Sequence, residues 1–393
     1  MKSEAATLAA VLARVAALPA APVALLDSLG RFSASELRAT RALPPFDNSA
    51  MDGYAVQAAS CGVGARLQVT GEQPAGRERG LTIGAGEAIR IFTGAPLPAG
   101  ADAVIMQEDV VREDESIVAQ SAAKPGEFIR RQGSDLARGQ QILARGAPIT
   151  AQTIGLLASQ GLAEIAVGAM PRVSIVSTGD ELARLGETPA PGQIFESNSV
   201  MLHALARGAG AAITRVEHAP DQLERITEIL RRGLESDALL LSGGVSVGDH
   251  DLVKPALRAL GAEIDLWRVA LKPGKPFLFG RVGGCLIFGL PGNPVSAFVT
   301  FLKFVRPALR RLAGAGDNHL GLREVRAQLA VALTNSGDRP HYFRGTLDAG
   351  IFMLSGRQES HALFGLSRAH ALLRLAPGAR LAEGDSVTVE LWD

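Results

Sequence analysis

The stretch DALLLSGGVSVGDHD (237–251) decides the fold, because a short apolar run passes directly into glycines, serines and aspartates. Such a run is typical of a strand buried in a parallel sheet. The glycines let backbone N–H groups face an anion, and Asp249 and Asp251 could hold Mg²⁺, which prefers oxygen ligands. An ordinary glycine-rich turn with aspartate caps on the next helix explains the same residues, and for this loop alone it is the favoured interpretation. No GK[ST] follows, so the stretch is not a Walker loop.

Strand-like and helix-like segments alternate outward from this stretch, between residue 171 and about residue 316. Apolar runs that end in polar turns are PRVSIVSTGDEL (171–182), AAITRVEHAP (211–220) and CLIFGLPGNP (285–294). Amphipathic segments such as DQLERITEILRRGLE (221–235) lie between them. This alternation predicts parallel βαβ units in a three-layer α/β domain. Ligands of such domains bind beyond the carboxyl ends of the strands, where these polar turns lie.

The sequence on either side of this domain has different patterns. Short β-type runs separated by Gly and Pro fill residues 65–150 and return after about residue 318. They predict a small β module and, at the end of the chain, a small barrel or sandwich. Residues 1–40, including SASELRA (33–39), and residues 150–162 predict helices.

Composition argues against several classes of function. Lys+Arg and Asp+Glu both number 40 among 393 residues, and this zero net charge argues against a general nucleic-acid binder. The two cysteines, Cys61 and Cys285, form no CxxC pair or Cys/His cluster, which argues against zinc and iron–sulfur sites and fits a reducing cytoplasm. The Ala-rich start is interpreted as an amphipathic helix rather than a signal peptide, because Glu4 and Arg14 interrupt it. No apolar run reaches the ~18 residues of a membrane helix.

Further loops carry groups that could bind an oxyanion or a phosphate. ALKPGKPFLFG (270–280) places Lys272 and Lys275 around a Pro-Gly turn, although for this stretch alone two solvated lysines are the favoured interpretation. GLPGNPVSAF (289–298) is a rigid turn at a helix start, where Asn293, Ser296 and free N–H groups could grip a ligand or only cap the helix. The seven histidines show no zinc spacing and are assigned core or surface roles.

Acidic residues follow other turns. STGDEL (177–182) offers Asp180 and Glu181, DNSAMDGYA (47–55) offers Asp52, and IFTGAPLPAGADAVIMQE (91–108) offers Thr93. Each turn is unremarkable by itself, since acidic residues also favour the first turn of a helix. Together the loops supply cations, carboxylates and N–H donors, which is typical of metal-assisted phosphoryl or nucleotidyl chemistry.

Six long motifs occur in the order found in the MoeA family, the molybdopterin molybdenumtransferases, and the chain resembles that family and the E domain of gephyrin over about residues 5–390. The motifs are PPFDNSAMDGYA (44–55), IFTGAPLPAGADAVIMQE (91–108), STGDEL (177–182), LLLSGGVSVGDHD (239–251), VALKPGKPFLFG (269–280) and GLPGNPVSAFVTF (289–301). Six motifs in one order are far more specific than any one glycine-rich loop.

The resemblance implies the architecture of the whole chain. It implies a central three-layer α/β domain similar to molybdopterin adenylyltransferases of the MogA type, with a mixed or parallel sheet, over residues 171–316. A β-rich domain (46–145), an N-terminal helical linking domain (1–45 and 146–170) and a C-terminal β-barrel (317–393) complete it. The expected assembly is an elongated homodimer.

The resemblance also implies a reaction, in which molybdate is inserted into the dithiolene of adenylylated molybdopterin and AMP leaves with the assistance of Mg²⁺. The substrates provide the sulfurs, which agrees with the lack of motif cysteines. A cytoplasmic enzyme is expected, without nucleic acid or membrane. Molybdopterin adenylyltransferase and the molybdoenzymes that accept the cofactor are candidate partners.

Site residues are carried over only at matching motif positions. The resemblance gives activity roles to Asp52, Thr93, Glu181, Asp221 and Asp251, and in the dimer Asp52 and Thr93 are expected to reach the partner's α/β pocket. It gives substrate-binding roles to Thr178, Gly179, Asp180, Ser242, Gly243, Gly244, Ser246, Lys272, Lys275, Pro291, Gly292, Asn293, Pro294, Ser296, Arg344 and Ser360. Within that set, Lys272, Lys275 and Ser296 resemble the oxyanion site, which Arg344 and Ser360 of the barrel would close. The candidate metal ligands are Asp249, Asp251 and Glu181.

Two departures and two alternatives accompany this resemblance. Glu196 stands where the family often has Asp, and Ser134 stands where many relatives have Glu. The first alternative is a molybdopterin adenylyltransferase that uses ATP, against which the extra β domains and DNSAMDGYA argue. The second is a non-catalytic scaffold that binds a receptor peptide. The presence of Asp52 and Glu181 and the lack of a long linker argue against the scaffold.

Overall fold

The computed structural model describes residues 1–244 and 252–392, which form two compact units. The first unit comprises Met1–Ser35, Ala144–Ala158 and Leu162–Asp393, and the second comprises Glu36–Leu143 and Ser159–Gly161. The division into four domains predicted from the sequence stays a prediction.

A six-stranded mixed sheet forms the centre of the first unit. Its strands, in spatial order, are Ala212–Ala219, Arg172–Thr178, Ala238–Ser242, Cys285–Leu290, Pro276–Val282 and Glu263–Arg268. The first four are parallel, and the last two are antiparallel to their neighbours. All four parallel strands were predicted from their apolar runs, and the central α/β fold is confirmed.

Helices cover both faces of this central sheet. Residues of opposite parity in the strand Ala238–Ser242 enter different cores, with Leu240 in one and Leu239 in the other. One layer contains Glu4–Leu12, Asn198–Gly208 and a long helical segment, and the other contains Leu223–Gly233 and Val253–Ala259. A strand buried on both faces is apolar along most of its length, and strands of this kind are typical of parallel sheets. The run DALLLS therefore predicted a parallel sheet.

The long helical segment is not uniform. It consists of Pro294–Thr300, a π-helical turn at Phe301–Val305 and Arg306–Leu312. Pro307 has no backbone N–H, so a regular α-helical hydrogen-bond ladder cannot run through it. The sequence predicted one continuous helix here and did not anticipate the π-helical turn.

The antiparallel hairpin at one edge of the sheet was not predicted, because ALKPGKPFLFG was interpreted as a loop and the strand Glu263–Arg268 gave no clear signal. It pairs with Pro276–Val282, which in turn pairs with Cys285–Leu290. Two reversals return the chain to the direction of the parallel strands. The turn 269–275, which carries Lys272 and Lys275, therefore lies at the same edge of the sheet as the carboxyl ends of the parallel strands.

A closed barrel lies near the end of the first unit and confirms the predicted C-terminal barrel. Its five strands, in order, are Arg323–Leu329, Ile351–Leu354, His341–Asp348, Ala371–Leu375 and Ser386–Leu391. The short pair Leu333–Thr334 and Arg380–Leu381 and the helix Leu363–Ser367 accompany it. Phe343, Phe352 and Leu373 belong to its apolar core. The strand Ile351–Leu354 was not predicted.

The prediction of helix throughout residues 1–40 was wrong. The helix begins at Glu4 and ends at Leu12, and a strand at Ala21–Ala24 pairs with Glu164–Val167. Pro19 and Pro22 cannot donate the hydrogen bonds that would extend the helix. SASELRA is not helical either, since its residues Leu37–Arg38 form a short strand in the second unit. The helix predicted at 150–162 is present at Ala151–Ser159.

The second unit is a β module, as predicted. Its six-stranded sheet has the order Ala103–Met106, Gly53–Val56, Glu87–Ile91, Arg66–Gln73, Ser116–Ala119 and Val110–Glu113. Two short ribbons pair Ile129–Arg130 with Asn48–Ser49, and Gln141–Leu143 with Leu37–Arg38. Within the described residues no helix is long and apolar enough to cross a membrane.

Candidate active site

The loop after the strand Arg172–Thr178 begins the candidate site. Thr178 and Gly179 are buried, whereas Asp180 and Glu181 are exposed. A Cβ added to Gly179 would lie 2.3 Å from Oε2 of Glu181, so this carboxylate folds back against the end of the strand. Asp180 Oδ1 accepts the backbone N–H of Asp221 at 3.1 Å. The structure thus brings Asp221, which follows the next strand, beside the STGDEL loop.

The glycine-rich loop begins beside Thr178. Ser242 is buried, and Gly243 donates its N–H to the Leu290 carbonyl at 3.3 Å. Gly244 has a φ of +61°, and an added Cβ would lie 2.4 Å from Cγ2 of Val253, so both backbone conformation and space require glycine. Ser246, Asp249 and Asp251 belong to residues 245–251 and lie outside the described residues.

Asn198 links two of these loops, although the sequence analysis did not select it. Its Nδ2 donates to Ser242 Oγ at 3.0 Å and to the Gly292 carbonyl at 2.7 Å. Glu196 accepts the N–H of Ser199 at 2.8 Å and so holds the first turn of the helix that carries Asn198. The signal available in the sequence was ESNS (196–199), where an amide side chain opens a helix after a short strand. Asn198 is a candidate positioning residue.

The LPGNP turn meets the barrel. Pro291 is buried, and Pro294 occupies the first turn of its helix, where a missing N–H costs nothing. Asn293 Nδ2 donates to Ser360 Oγ at 3.0 Å, and the Val295 N–H donates to the Ser360 carbonyl at 3.0 Å. The predicted residues Asn293 and Ser360 are therefore in direct contact, while Gly292 is exposed.

The lysine turn is joined to the barrel through its backbone. The Lys272 N–H donates to the Pro340 carbonyl at 2.9 Å, and the Tyr342 N–H donates to the Lys272 carbonyl at 2.8 Å. A Cβ added to Gly274 would lie 3.7 Å from the carbonyl oxygen of Ser296. The turn therefore packs on the helix that carries buried Ser296, with the side chains of Lys272 and Lys275 exposed.

Arg344 lies fully buried on the strand His341–Asp348. Its Nη2 donates to the carbonyls of Arg357 at 2.7 Å and Glu359 at 3.3 Å. Its Nε and Nη1 have no hydrogen-bond partner among the described residues. Burial lowers the pKa of its guanidinium. A buried cation with free donors is suited to an oxyanion.

His341 is a second group that the sequence analysis did not place at the site. It is buried, its ring lies 4.0 Å from the ring of Phe343, and its Nε2 has no partner within the described residues. Burial, followed by the charges of Lys272, Arg344 and Arg339, lowers the pKa of His341 to about 4. The imidazole is neutral at pH 7. Its environment shows that three cationic side chains surround this part of the barrel.

A cavity of about 470 Å³ opens beside the STGDEL loop. Ser177, Leu182, Glu196 and His218 contribute to its walls. Ser177 Oγ and His218 Nδ1 lie 3.3 Å apart. The cavity adjoins the carboxyl ends of two strands, the edge at which parallel sheets of this kind bind ligands.

Asp52 and Thr93 lie in the second unit and contact each other. Both side chains are exposed. Thr93 donates its backbone N–H and its hydroxyl to Asp52 Oδ1, at 2.7 and 2.9 Å. These two predicted residues thus form one polar group within their unit.

Two of the three candidate metal ligands, Asp249 and Asp251, lie outside the described residues. The described residues contain no group of three or more His, Cys, Asp or Glu side chains placed to hold a metal ion. Glu181 is the one predicted ligand that the structure describes, and Asp180 adds a second carboxylate beside it. These hard oxygen donors suit Mg²⁺.

Three protein families match successive parts of the chain. The MoeA N-terminal region (domain I and II) matches residues 3–161. A probable molybdopterin binding domain matches residues 174–311, and the MoeA C-terminal region (domain IV) matches residues 326–392. Together these matches extend over most of the chain in the expected order.

Individual proteins are similar over comparable lengths. Molybdopterin molybdenumtransferase 2 of Mycobacterium tuberculosis is 39% identical over 385 residues, which cover 94% of this chain and 94% of that protein. The molybdopterin molybdenumtransferase of Haemophilus influenzae is 38% identical over 292 residues, or 74% and 72% of the two chains. The crystal structure of the molybdopterin biosynthesis MoeA protein from Pyrococcus horikoshii OT3 superposes with a TM-score of 0.86, at 28% identity and full coverage of both chains.

Proposed function

Because the chain belongs to the MoeA family of molybdopterin molybdenumtransferases, we propose that it inserts molybdate into the dithiolene of adenylylated molybdopterin with release of AMP. The chain is a transferase of molybdenum cofactor biosynthesis. The proposal adds the identity of the activated substrate and of the leaving group.

One observation carries this proposal: the lysine turn is hydrogen-bonded to the barrel strand that contains Arg344. Backbone bonds between Lys272 and the segment Pro340–Tyr342 join the lysine turn to the strand of buried Arg344, and the charges of Lys272 and Arg344 both act on His341. Molybdate is a small dianion, and a lysine and an arginine with N–H donors would match its charge and its oxygens. Ser296 and Ser360 lie on segments in contact with the same region and would add hydroxyl groups.

The chemistry requires little from the protein beyond position and charge. The dithiolene sulfurs of the substrate are the nucleophiles, so the protein needs no reactive cysteine. Burial raises the pKa of Cys285 to about 12 and also raises that of Cys61, which keeps both thiols protonated and unreactive. The residues of the site would hold molybdate and the pterin adenylate next to each other and stabilise the developing charge.

Mg²⁺ completes the proposed site. Glu181 would provide one carboxylate ligand, and Asp249 and Asp251, outside the described residues, would provide others. The bound ion would neutralise charge on the adenylate phosphates. Asp180 would then remain with Asp221, whose N–H it accepts, and would orient the loop.

We further propose a cytoplasmic homodimer in which Asp52 and Thr93 of one subunit serve the partner's substrate pocket. A mixture of two inactive variants tests this arrangement. Asp52→Ala and Lys272→Ala subunits are expected to regain activity when they form mixed dimers, because one of the two sites is then intact. Mixed dimers that remain inactive, as judged after purification with two different affinity tags, would refute the shared site.

A reconstitution tests the reaction itself. Purified protein receives adenylylated molybdopterin, Mg²⁺ and molybdate, and AMP and active cofactor are followed. We expect AMP release that depends on molybdate and that is lost in Lys272→Ala and in Asp251→Ala. Lys124→Ala serves as the matched control, because Lys124 belongs to the second unit and has no predicted role.

Two other results would replace this proposal. Formation of pyrophosphate from ATP and molybdopterin, with no reaction of the adenylate, would establish an adenylyltransferase. If neither adenylylated molybdopterin nor ATP is consumed under any of these conditions, a binding scaffold is favoured. Candidate partners are the adenylyltransferase that supplies the substrate and the molybdoenzymes that accept the product.

A further inference from the structure

A buried ionic cluster fastens the helix Glu4–Leu12 to the barrel. Glu4 accepts hydrogen bonds from the Tyr342 hydroxyl and from Arg374 Nε, the latter at 3.0 Å. Lys303 Nζ lies 3.3 Å from Glu4 Oε1 and 2.6 Å from Glu390 Oε1. The side chains of Glu4 and Lys303 are only 15% and 14% exposed. Glu4 is thus the carboxylate on which a tyrosine hydroxyl, a lysine and an arginine converge.

The electrostatics of this cluster are balanced. Two carboxylates face two cations, and Lys303 also lies 5.1 Å from the centre of the Tyr342 ring. Burial raises the pKa of Glu4, but Lys303, the Tyr342 hydroxyl and Arg374 outweigh burial, so the pKa of this carboxyl is lowered. Glu4 is therefore ionised at neutral pH. Removal of its charge would leave Lys303 with only Glu390 as a carboxylate partner among the described residues and would release half-exposed Arg374 from the cluster, so the balance of charge around Lys303 would be lost.

The same segment of chain also holds the lysine turn. The Ala270 N–H donates to the Lys2 carbonyl at 2.9 Å, and Lys2 forms a parallel bridge with Val269. The Val269 N–H in turn donates to the Lys275 carbonyl at 3.1 Å and closes the turn. Residues 2–4 therefore contact the base of the turn through backbone atoms and the barrel through a side chain.

The three segments that contain the candidate oxyanion-binding residues are all connected to residues 2–4. Tyr342 precedes Arg344 by two residues on the same strand, and its backbone binds Lys272. Lys303 lies on the π-helical turn that continues the helix of Ser296. The lysine turn, the Ser296 helix and the Arg344 strand come from distant parts of the sequence, yet each is joined to residues 2–4 directly or through one side chain.

From this convergence we infer that Glu4 is a positioning residue for the oxyanion site, which fixes the lysine turn, the Ser296 helix and the Arg344 strand relative to one another. The inference rests on the proposed function. Glu4 itself contacts none of the candidate ligands of molybdate. Its loss is expected to loosen the geometry of the anion site and to leave binding of the pterin adenylate unchanged.

Glu4→Gln is the direct test, because it keeps the size of the side chain and removes the charge. Molybdate binding is measured by isothermal titration with sodium molybdate, and KM is measured separately for molybdate and for adenylylated molybdopterin. We expect molybdate affinity to fall by about tenfold, as for other residues that orient the direct ligands of a site, while KM for the pterin substrate stays nearly constant. Glu4→Asp, which retains the charge, should restore part of the affinity.

Arg14→Gln is the matched control. Arg14 follows the same helix and forms ion pairs with Asp265 at 2.8 Å and Glu263 at 3.5 Å, away from the cluster. Its loss should lower thermal stability without any change in either KM. If the KM for molybdate rises as much in Arg14→Gln as in Glu4→Gln, the effect of Glu4→Gln is due to general destabilisation. That result would overturn the inference.

The remaining outcomes are equally decisive. A folded Glu4→Gln protein with wild-type affinity for molybdate overturns the inference. If that variant does not fold, Tyr342→Phe replaces it, because this change removes only the hydroxyl that donates a hydrogen bond to Glu4. A smaller loss of molybdate affinity in Tyr342→Phe supports the inference, and an unchanged affinity refutes it. Absence of molybdate binding in the unmodified protein would instead refute the proposed function.

Discussion

Thr93 donates two hydrogen bonds to one oxygen of the Asp52 carboxylate, through its backbone N–H at 2.7 Å and its hydroxyl at 2.9 Å. The backbone bond, then the hydroxyl bond, hold the pKa of Asp52 below its ordinary value. Asp52 is exposed, so these bonds fix the direction of a charged group that remains open to a ligand. A carboxylate oriented in this way would need no reorientation to make the proposed contact with substrate.

The first prediction concerns this pair as a unit. Asp52→Asn should reduce turnover by about 10- to 100-fold, the expected loss for a charged hydrogen bond to substrate, with little change in Tm. Thr93→Val removes only the hydroxyl bond, so it should raise the pKa of Asp52 toward its ordinary value and reduce turnover less. The double variant should be no worse than Asp52→Asn. Additive losses would show that the two residues act separately.

The lowered pKa also sets the pH range in which Asp52 matters for stability. Because the folded pKa is below the unfolded value, its contribution is present above the unfolded pKa of about 4 and is lost as the pH falls through the folded value. Because Asp52 is ionised throughout the neutral range, its titration should produce no change in the turnover number near pH 7. The pH dependence of turnover near pH 7 should therefore be the same in the unmodified protein and in Asp52→Asn. A step near pH 7 that this variant removes would contradict the assignment of an ionised carboxylate.

The second prediction concerns Asn198, which joins the glycine-rich loop to the LPGNP turn. Asn198→Ala removes a buried hydrogen bond to Ser242 and a partly buried one to the Gly292 carbonyl, and should lower the free energy of unfolding by about 1–3 kcal/mol. KM for adenylylated molybdopterin should rise as well, because both loops border the same edge of the sheet. Urea unfolding and initial rates measure the two effects. Asn318→Ala, at an exposed asparagine, is the control and should change neither.

The third prediction is a pH dependence of stability from His341. Its folded pKa of about 4 lies below the ordinary value of about 6.5, so the unfolded chain binds the proton more readily. The contribution is complete above pH 6.5 and is lost as the pH falls toward 4. Between pH 7 and pH 5 the free energy of unfolding should decline by about 1–2 kcal/mol more in the unmodified protein than in His341→Gln. His361→Gln, at an exposed histidine, should keep the full decline, and an equal decline in His341→Gln would refute the assignment.

The fourth prediction distinguishes arginine from lysine at position 344. Arg344→Lys keeps the positive charge but loses the planar arrangement of donors that reaches the carbonyls of Arg357 and Glu359. We expect KM for molybdate to rise by about tenfold, which corresponds to loss of one charge-assisted hydrogen bond. Arg326→Lys, at an exposed arginine of the barrel, should have no effect. Unchanged kinetics in Arg344→Lys would show that charge alone suffices there.

Much of the central sheet was predictable because its strands are buried on both faces. Continuous apolar runs identified Arg172–Thr178, Ala238–Ser242 and Cys285–Leu290, and the polar turns after them marked one edge. Parallel strands place their carboxyl ends together, so the proximity of the STGDEL, SGG and LPGNP turns followed from local pattern alone. The prediction of a helix beyond Leu12 was wrong, since Ala-rich composition was given more weight than two prolines.

The sequence by itself determined the fold class, the family and the loops that carry charge, because periodicity and motif order are properties of neighbouring residues. Only the tertiary structure showed how the lysine turn and the barrel lie relative to the loops at that edge. The unpredicted strand Glu263–Arg268 turns the lysine loop toward the ligand-binding edge, and hydrogen bonds then join Lys272 to the strand of Arg344. The contacts of Glu4 and Asn198 also became evident only from the tertiary structure. Their importance comes from burial and from bonds between segments distant in sequence, and no local pattern of residues encodes such contacts.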